Sequence, residues 1–263
     1  MNRSILIISF DYPPVQSSSG LLRMLAFSRD LADFGWDVTV LTASGTGNRA
    51  ELEDNRSMLS EKVKVIRTRA FDAAETFSLF GRYPGILEWP DRYSSWIITA
   101  VLAGFFHIRK NDTQVIFSSY PNASAHLAGY VLSKLTKKCW VSDFRDPMLM
   151  AEHPESKIRR HGHRWVESRA ITQSQACLFT NSKCLTLHTT KYPEIPRNKF
   201  SVIENGYDEE LFVEVEESLN KRNSARFDRD AIRILHSGTL YPDHRDPIPL
   251  FEAIRQLQSD WSE

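Results

Sequence analysis

The sequence predicts an α/β fold: a Rossmann-like parallel sheet with helices on both faces, followed by the first strand and helix of a second domain. Short apolar runs of strand length alternate along the chain with longer segments whose apolar residues recur at helical spacing. Such alternation is typical of βαβ units, whose sheet is parallel and covered on both faces. The 263 residues provide for one large domain or about two ordinary ones.

Each predicted element follows from its own local pattern. The first apolar run, 5–10, leads into an Asp-Tyr-Pro-Pro loop and three serines, and a helix over 21–34 then stops at Gly35. Residues 71–92 contain Pro84 and Pro90 and are expected to be irregular. The other strands are predicted at 38–42, 63–68, 115–118, 140–144, 176–180 and 201–203, and the other helices at 93–109, 123–137, 155–174 and from about residue 182.

Composition changes near the end of the chain and suggests domain boundaries. Residues 213–230 are polar and highly charged, which predicts a linker between a first domain, 1–212, and a segment, 231–263. That last segment holds a predicted strand at 232–236 and a helix at 247–257, too little to bury a core of its own. We expect it to open an incomplete second domain; the alternative is that it completes the first sheet.

The net charge, the cysteine pattern and the missing motifs of the sequence argue against several classes of protein. The formal net charge is zero and the pI about 7.1, which gives no support to nucleic-acid binding. Three cysteines without CxxC spacing predict buried thiols in a reducing compartment. The chain shows no signal-peptide pattern and no apolar run of about 20 residues, so we expect a cytoplasmic protein. A GxGxxG fingerprint, a Walker A loop and a His/Cys metal-ligand cluster are all missing from the sequence.

Candidate site residues follow the predicted strands. In an open parallel sheet, ligands bind at the carboxyl ends of the strands. Ser19 and Gly20 lie at a helix N-terminus, which suits an anion such as a phosphate, although serine is also a common N-cap. The other candidates are the segments 118–122, 143–146, 204–208 and 237–239, with His126 in the first turns of the helix that follows the strand at 115–118.

Alternatives remain open for the individual residues. His126 can hydrogen-bond a polar ligand or serve as a structural partner. Arg145 can clamp a phosphate or carboxylate, or it can bridge Asp143 or Asp146 and fix the loop. Asn205 and the glycine after it are typical of a tight turn.

Four segments together resemble the retaining glycosyltransferases of family 4, which have the GT-B fold. They lie in the expected order across nearly the whole chain, although Ser19-Gly20 replaces the usual Gly-Gly of the family. The segments are ILIISFDYPPVQSSSGLLRMLAFSRDLADFGWDVTVLTA, FSSYPNASAHLAGYVLSKLTKKCWVSDFRDP, KFSVIENGYDEELF and ILHSGTLYPDHRDPIPLFEAI.

The resemblance implies two Rossmann-like domains facing a cleft, the first on the acceptor side and the second binding a nucleotide-sugar donor without a metal. It implies catalytic roles for His126, Asp143 and Arg145, with His126 contacting the donor sugar. It also implies binding roles, in contact with the acceptor, the first loop or the donor, for Ser19, Gly20, Arg23, Asp146, Asn205, Gly238, Thr239 and Arg245. The family's Arg/Lys pair and glutamate pair lie beyond Glu263, so we expect an incomplete chain.

The function predicted on this basis is hexosyl transfer from a nucleotide-sugar to a glycan or lipid-linked acceptor, in polysaccharide or glycolipid assembly. One alternative is a non-catalytic module that needs a separate C-terminal domain chain or associates with itself. Another is a different nucleotide-dependent Rossmann-like enzyme. The basic helix at 155–174 could contact a membrane surface or a lipid-phosphate acceptor, or be a solvated face.

Overall fold

The computed structural model describes residues 3–14, 20–44, 59–78, 83–149, 156–221, 234–236, 240 and 246–260. These residues form two compact units, 1–208 and 209–263. The strands are β1 (Ser4–Ser9), β2 (Asp37–Ser44), β3 (Val63–Arg69), β4 (Val115–Ser119), β5 (Cys139–Asp143), β6 (Ala176–Phe179) and β7 (Phe200–Val202). The α-helices are α1 (Gly20–Asp33), α2 (Ala73–Thr76), α3 (Ser95–Asn111), α4 (Ala123–Thr136), α5 (Lys157–Gln173), α6 (Ser182–Lys191), α7 (Glu209–Lys221) and α8 (Ile248–Asp260).

The seven strands form one parallel sheet in the order β3-β2-β1-β4-β5-β6-β7. This arrangement confirms the predicted α/β class. The strand order reverses between β1 and β4, because the chain runs outward from β1 to β3 and then crosses back through α3 to β4. Ligands of open parallel sheets bind at such a switch point, at the carboxyl ends of the strands.

Alternating side chains of β1 separate two core layers. Ile5 and Ile7 pack with Met24 of α1 on one face of the sheet. Leu6 and Ile8 pack on the other face, in the cluster that contains the buried residues of α3, α4 and α5. Successive strand residues point to opposite faces, so the four consecutive apolar residues Ile5–Ile8 of β1 need helices on both sides.

The second unit differs in part from its expected form. The predicted polar linker begins with a helix, α7, which starts at Glu209. The predicted helix at 247–257 is present as α8. Residues 234–236 of the predicted strand have no regular secondary structure. High charge is a weak signal for a linker, because a charged segment with apolar residues at helical spacing also favours an amphipathic helix. A short apolar run is likewise a weak signal for a strand.

Candidate active site

A buried ion pair joins α1 to the carboxyl end of β5. Arg23 donates from Nη2 to Oδ1 of Asp143 at 2.9 Å and from Nε to Oδ2 at 3.1 Å. Their side chains are 3% and 0% exposed. Ser119, the last residue of β4, donates a third hydrogen bond to Asp143 Oδ2 at 2.9 Å. A two-pronged guanidinium–carboxylate contact is strong and geometrically specific, so it sets the position of both side chains.

The same guanidinium also holds the segment after β7. Nη1 of Arg23 donates to the carbonyl oxygen of Ile203 at 2.8 Å, to that of Glu204 at 3.3 Å and to Oδ1 of Asn205 at 3.2 Å. Three of the predicted site residues, Arg23, Asp143 and Asn205, therefore meet at one side chain. The tight turn expected at Asn205 is not formed, since residues 203–208 have no regular structure and Gly206 does not adopt a positive φ; Arg23 instead holds this segment in place.

Arg145 lies just beyond β5 in a left-handed backbone conformation, with φ 43°. Its Nη1 donates to the carbonyl oxygen of Tyr120 at 3.1 Å, and Thr180 Oγ1 donates to its own carbonyl oxygen at 2.5 Å. A non-glycine residue at positive φ is uncommon, and such conformations concentrate at functional sites. These two bonds tie the turn to the ends of β4 and β6.

The charge of the Arg145 guanidinium is incompletely solvated. The residue is 9% exposed, and burial lowers its pKa, while the charges of Asp146, Asp143 and Asp11 favour the charged form. Within the described part of the chain the guanidinium makes a single hydrogen bond, so most of its donors remain available. Asp146 itself is exposed. The guanidinium of Arg145 is therefore a cation held in position beside carboxylates, and it suits the binding of an anionic oxygen.

His126 is fully buried in α4, with 0% exposure. Its Nδ1 is 2.8 Å from Ser118 Oγ, which also accepts from Trp140 Nε1 at 2.8 Å. The imidazole tautomer sets which of Ser118 Oγ and Nδ1 donates this hydrogen bond. Nε2 has no hydrogen-bond partner among the described residues. Burial lowers the pKa of His126 to about 3, so the ring is neutral. Its contact with a donor sugar stays a prediction.

The remaining predicted residues lie at or outside the described ranges. Gly20 is the first residue of α1. Ser19, Gly238, Thr239 and Arg245 lie outside the residues that the structure describes.

Two residues of this edge were missed by the sequence analysis. Thr180 follows β6 and holds the backbone of Arg145, as given above. Arg67, near the carboxyl end of β3, donates to the carbonyl oxygen of Pro13 in the first loop. Both were recognisable by the same rule that selected the other candidates, since each polar side chain lies at the end of a predicted strand.

Comparison with known proteins gives no match to a family model and none to a curated sequence. Solved structures do match in fold. Sucrose-phosphate synthase from Thermosynechococcus elongatus matches with a TM-score of 0.55 and 15% identity, over 85% of this chain and 53% of that one. UGT89C1 of Arabidopsis thaliana, complexed with UDP, matches with a TM-score of 0.54 and 15% identity, over 84% of this chain and 57% of that one.

Anabaena HepE in complex with UDP-glucose matches with a TM-score of 0.51 and 11% identity, over 84% of this chain and 50% of that one. The fold is of the GT-B type. The chain spans about half the length of each of these structures. Arg23, Asp143 and Arg145 all lie at the carboxyl edge of this sheet.

The described ranges contain no evident set of metal ligands. No group of three or more His, Cys, Asp or Glu residues there could hold a metal ion. The cysteines Cys139, Cys177 and Cys184 are free, and the last two are buried, with burial raising the pKa of Cys184 to about 12. Among the described helices, none is long and apolar enough to cross a bilayer.

Proposed function

We propose that this chain takes part in glycosyl transfer from a nucleotide-sugar to a glycan or lipid-linked acceptor. The retaining, family-4-like hexosyl transfer expected from the sequence is part of this proposal, as is a cytoplasmic location with peripheral contact at the inner face of the membrane. The single observation that carries the proposal is Arg145, held at positive φ with available donors at the carboxyl edge of a GT-B-type sheet.

The chemistry of transfer explains the need for such a group. Breaking the bond to a nucleotide leaving group builds positive charge at the anomeric carbon and negative charge on the departing phosphate. Fixed cations and dipoles stabilise these charges because they need no reorganisation during the reaction. In this proposal Arg145 faces the anionic groups, the exposed carboxylate of Asp146 faces the acceptor side, and Arg23 holds the buried carboxylate of Asp143 in place.

The Arg23–Asp143 pair suits a positioning role for a physical reason. Asp143 accepts three hydrogen bonds from Arg23 and Ser119 and has no exposed surface. A carboxylate with all these contacts is held in one geometry by its neighbours. We therefore assign Asp143 a positioning role.

Isothermal titration calorimetry with UDP-glucose, GDP-mannose and NAD tests the proposal. We expect a nucleotide-sugar to bind and the variant Arg145→Gln to weaken that binding by at least tenfold, the effect of losing about 1.4 kcal/mol. The matched control Lys62→Gln removes an exposed cation before β3 and should bind as the parent chain does. Preferential binding of NAD would instead favour the other nucleotide-dependent enzyme class.

A second candidate is a partner module that receives the donor half from another chain. The observation that favours it is the coverage of about half of each matched structure. Described by itself, α8 exposes Ile248, Phe251 and Leu257 by more than half of their surface, and exposed apolar patches promote association. Restored transfer on mixing with a separate donor-side domain would support this candidate. A monomer at high concentration in light scattering, with no association, would contradict it.

A further inference from the structure

The three helices α3, α4 and α5 form a layer with an unusual charge balance. They carry eight Lys and Arg residues, two on α3, one on α4 and five on α5, against one acidic residue, Glu167. Glu167 is 1% exposed and is held by Lys191 and Tyr192. The whole chain has 33 basic and 33 acidic residues, so this layer is electropositive in a neutral protein.

The opposite face of the sheet provides the contrast. Helix α1 carries Arg23 and Arg29 together with Asp30 and Asp33, a balanced set. Three acidic residues among those that the structure describes border the basic layer. Asp112 caps α3 and pairs with Lys138 at 3.0 Å. Asp91 is buried and accepts a hydrogen bond from the backbone of Ser124 in α4, and Glu88 lies near the cations Arg92 and Arg159.

An apolar ridge runs along the same layer. Ile98, Leu102 and Phe106 lie one turn apart on α3 and are 67%, 55% and 68% exposed. The buried residues of the helix, which include Trp96, Ala100 and Ile108, recur at the same spacing on the opposite side. Leu135 of α4 is 57% exposed, and α4 packs against α3. Large apolar side chains in one row on a soluble surface mark an interaction site.

Each helix of the layer also pairs a cation with an aromatic ring one turn earlier. Arg109 lies over Phe105 at 6.0 Å on α3, Lys134 over Tyr130 at 5.7 Å on α4, and Arg169 over Trp165 at 5.2 Å on α5. Aromatic rings and long basic side chains are the groups that settle at the boundary between lipid headgroups and acyl chains. At the start of α5, Ile86, Trp89 and Ile158 line a shallow depression of about 410 Å³ beside Lys157 and His161.

We propose that the α3–α4–α5 layer docks on the surface of an anionic lipid bilayer. The basic residues attract the negatively charged lipid surface, and the exposed apolar side chains enter the boundary between headgroups and acyl chains. These two interactions together determine how strongly a protein binds at a membrane interface. A second copy of the chain fits poorly, because a symmetric contact would place the cations of both copies against each other. A nucleic acid uses the cations but leaves the ridge of Ile98, Leu102 and Phe106 without a partner.

This docking rests on the membrane contact included in the proposed function. Vesicle co-sedimentation of the full chain tests it without any sugar donor, so a failure of docking is distinguishable from a failure of the proposed transferase activity. We expect binding to phosphatidylcholine vesicles that contain phosphatidylglycerol, weaker binding to pure phosphatidylcholine, and loss of binding as salt is raised. The double variant Arg109→Gln/Lys110→Gln should bind about 25-fold more weakly, at about fivefold for each cation removed. The control Lys62→Gln/Lys64→Gln removes two exposed cations elsewhere and should bind as the parent does.

A second pair of variants separates the apolar contribution. Leu102→Ser/Phe106→Ser should weaken binding at least tenfold, since two exposed side chains lose their apolar contact with lipid. The control Phe34→Ser changes a residue that is 75% exposed at the end of α1 and should have no effect. All these positions are exposed, so circular dichroism should report unchanged folding. Three results would overturn the proposal. The folded chain does not bind vesicles, the control variants lose as much vesicle binding as the test variants, or the chain binds transfer RNA in preference to vesicles at the same salt.

Discussion

Arg23 Nη2 and Asp143 Oδ1 lie 2.9 Å apart with both side chains almost completely buried. The two residues are 120 positions apart in the sequence. Buried ions are costly to leave without a partner, because the Coulomb attraction is what offsets their lost hydration. The pair therefore makes the carboxyl edge of the sheet sensitive to the loss of either partner.

Arg23→Met should destabilise the fold by about 3–5 kcal/mol, since it leaves Asp143 charged and buried without its cation. The double variant Arg23→Met/Asp143→Leu should recover most of that loss, because no buried charge remains. Urea unfolding measures both. As a control, Lys64→Met removes one partner of an exposed pair with Asp37 and should cost less than about 1 kcal/mol. A single variant no worse than this control would show that the pair contributes little.

Acid should destabilise the protein through His126. Its pKa is about 3 in the fold against 6.5 for the free side chain. Because the folded value is depressed, the unfolded chain takes up a proton first, and stability falls from about pH 6.5 down to about pH 3. Between pH 8 and pH 5 the loss is about 2 kcal/mol.

His126→Asn should remove this share of the pH dependence, since Oδ1 of asparagine can accept from Ser118 without titrating. The exposed residue His161 provides a control, and His161→Asn should keep the pH dependence of the parent chain. The measurement is the free energy of unfolding at both pH values. Parallel curves for parent and His126→Asn would contradict a buried neutral histidine.

Gly129 should not tolerate a methyl group. A Cβ there would lie 2.7 Å from Trp140 Nε1 and 3.0 Å from Ser118 Oγ. Because both atoms belong to the hydrogen-bonded chain that ends at His126, neither can move freely. We expect Gly129→Ala to cost about 1–3 kcal/mol. Gly206→Ala, where nothing lies within 4 Å of the added atom, should be neutral or slightly stabilising. Equal stability of the two variants in thermal unfolding would show that this packing is loose.

The ionised carboxylate of Glu167 should stabilise the fold near neutral pH, and acidification should remove this contribution. Burial raises the pKa of this carboxyl, but the neighbouring side chains of His188 and Lys191 outweigh it and the pKa is lowered. A depressed carboxyl pKa gives stability above the unfolded value of about 4.5, which is lost as pH falls through the folded value. Glu167→Gln should therefore be less stable near neutral pH and lose less on acidification below pH 4.5 than the parent. Melting temperatures at both ends of that range measure this, with the exposed Glu75→Gln as control.

Much of the first unit was predictable, because its local patterns agree with its tertiary environment. The run Ile5–Phe10 is apolar except for Ser9, and the structure buries all of it between two helical layers. Polar residues at the ends of strands indicated Asp143, Arg145 and Asn205 as candidates. The same rule applies to Thr180 and Arg67. The high charge of residues 213–221 favours a linker in the sequence, but Phe212 and Val215 are three residues apart, as in an amphipathic helix, and the structure forms α7 there.

By itself, the sequence determined the α/β class, the parallel sheet and the edge where polar residues gather, because hydrophobic periodicity and strand ends are local properties. Only the tertiary structure decided that Arg23 binds Asp143 and Asn205, that Arg145 adopts a positive φ, and that the cations of α3, α4 and α5 share one surface. These relationships join residues far apart in the chain. Their partners are selected by burial and by the packing of whole elements, which no local window of sequence contains.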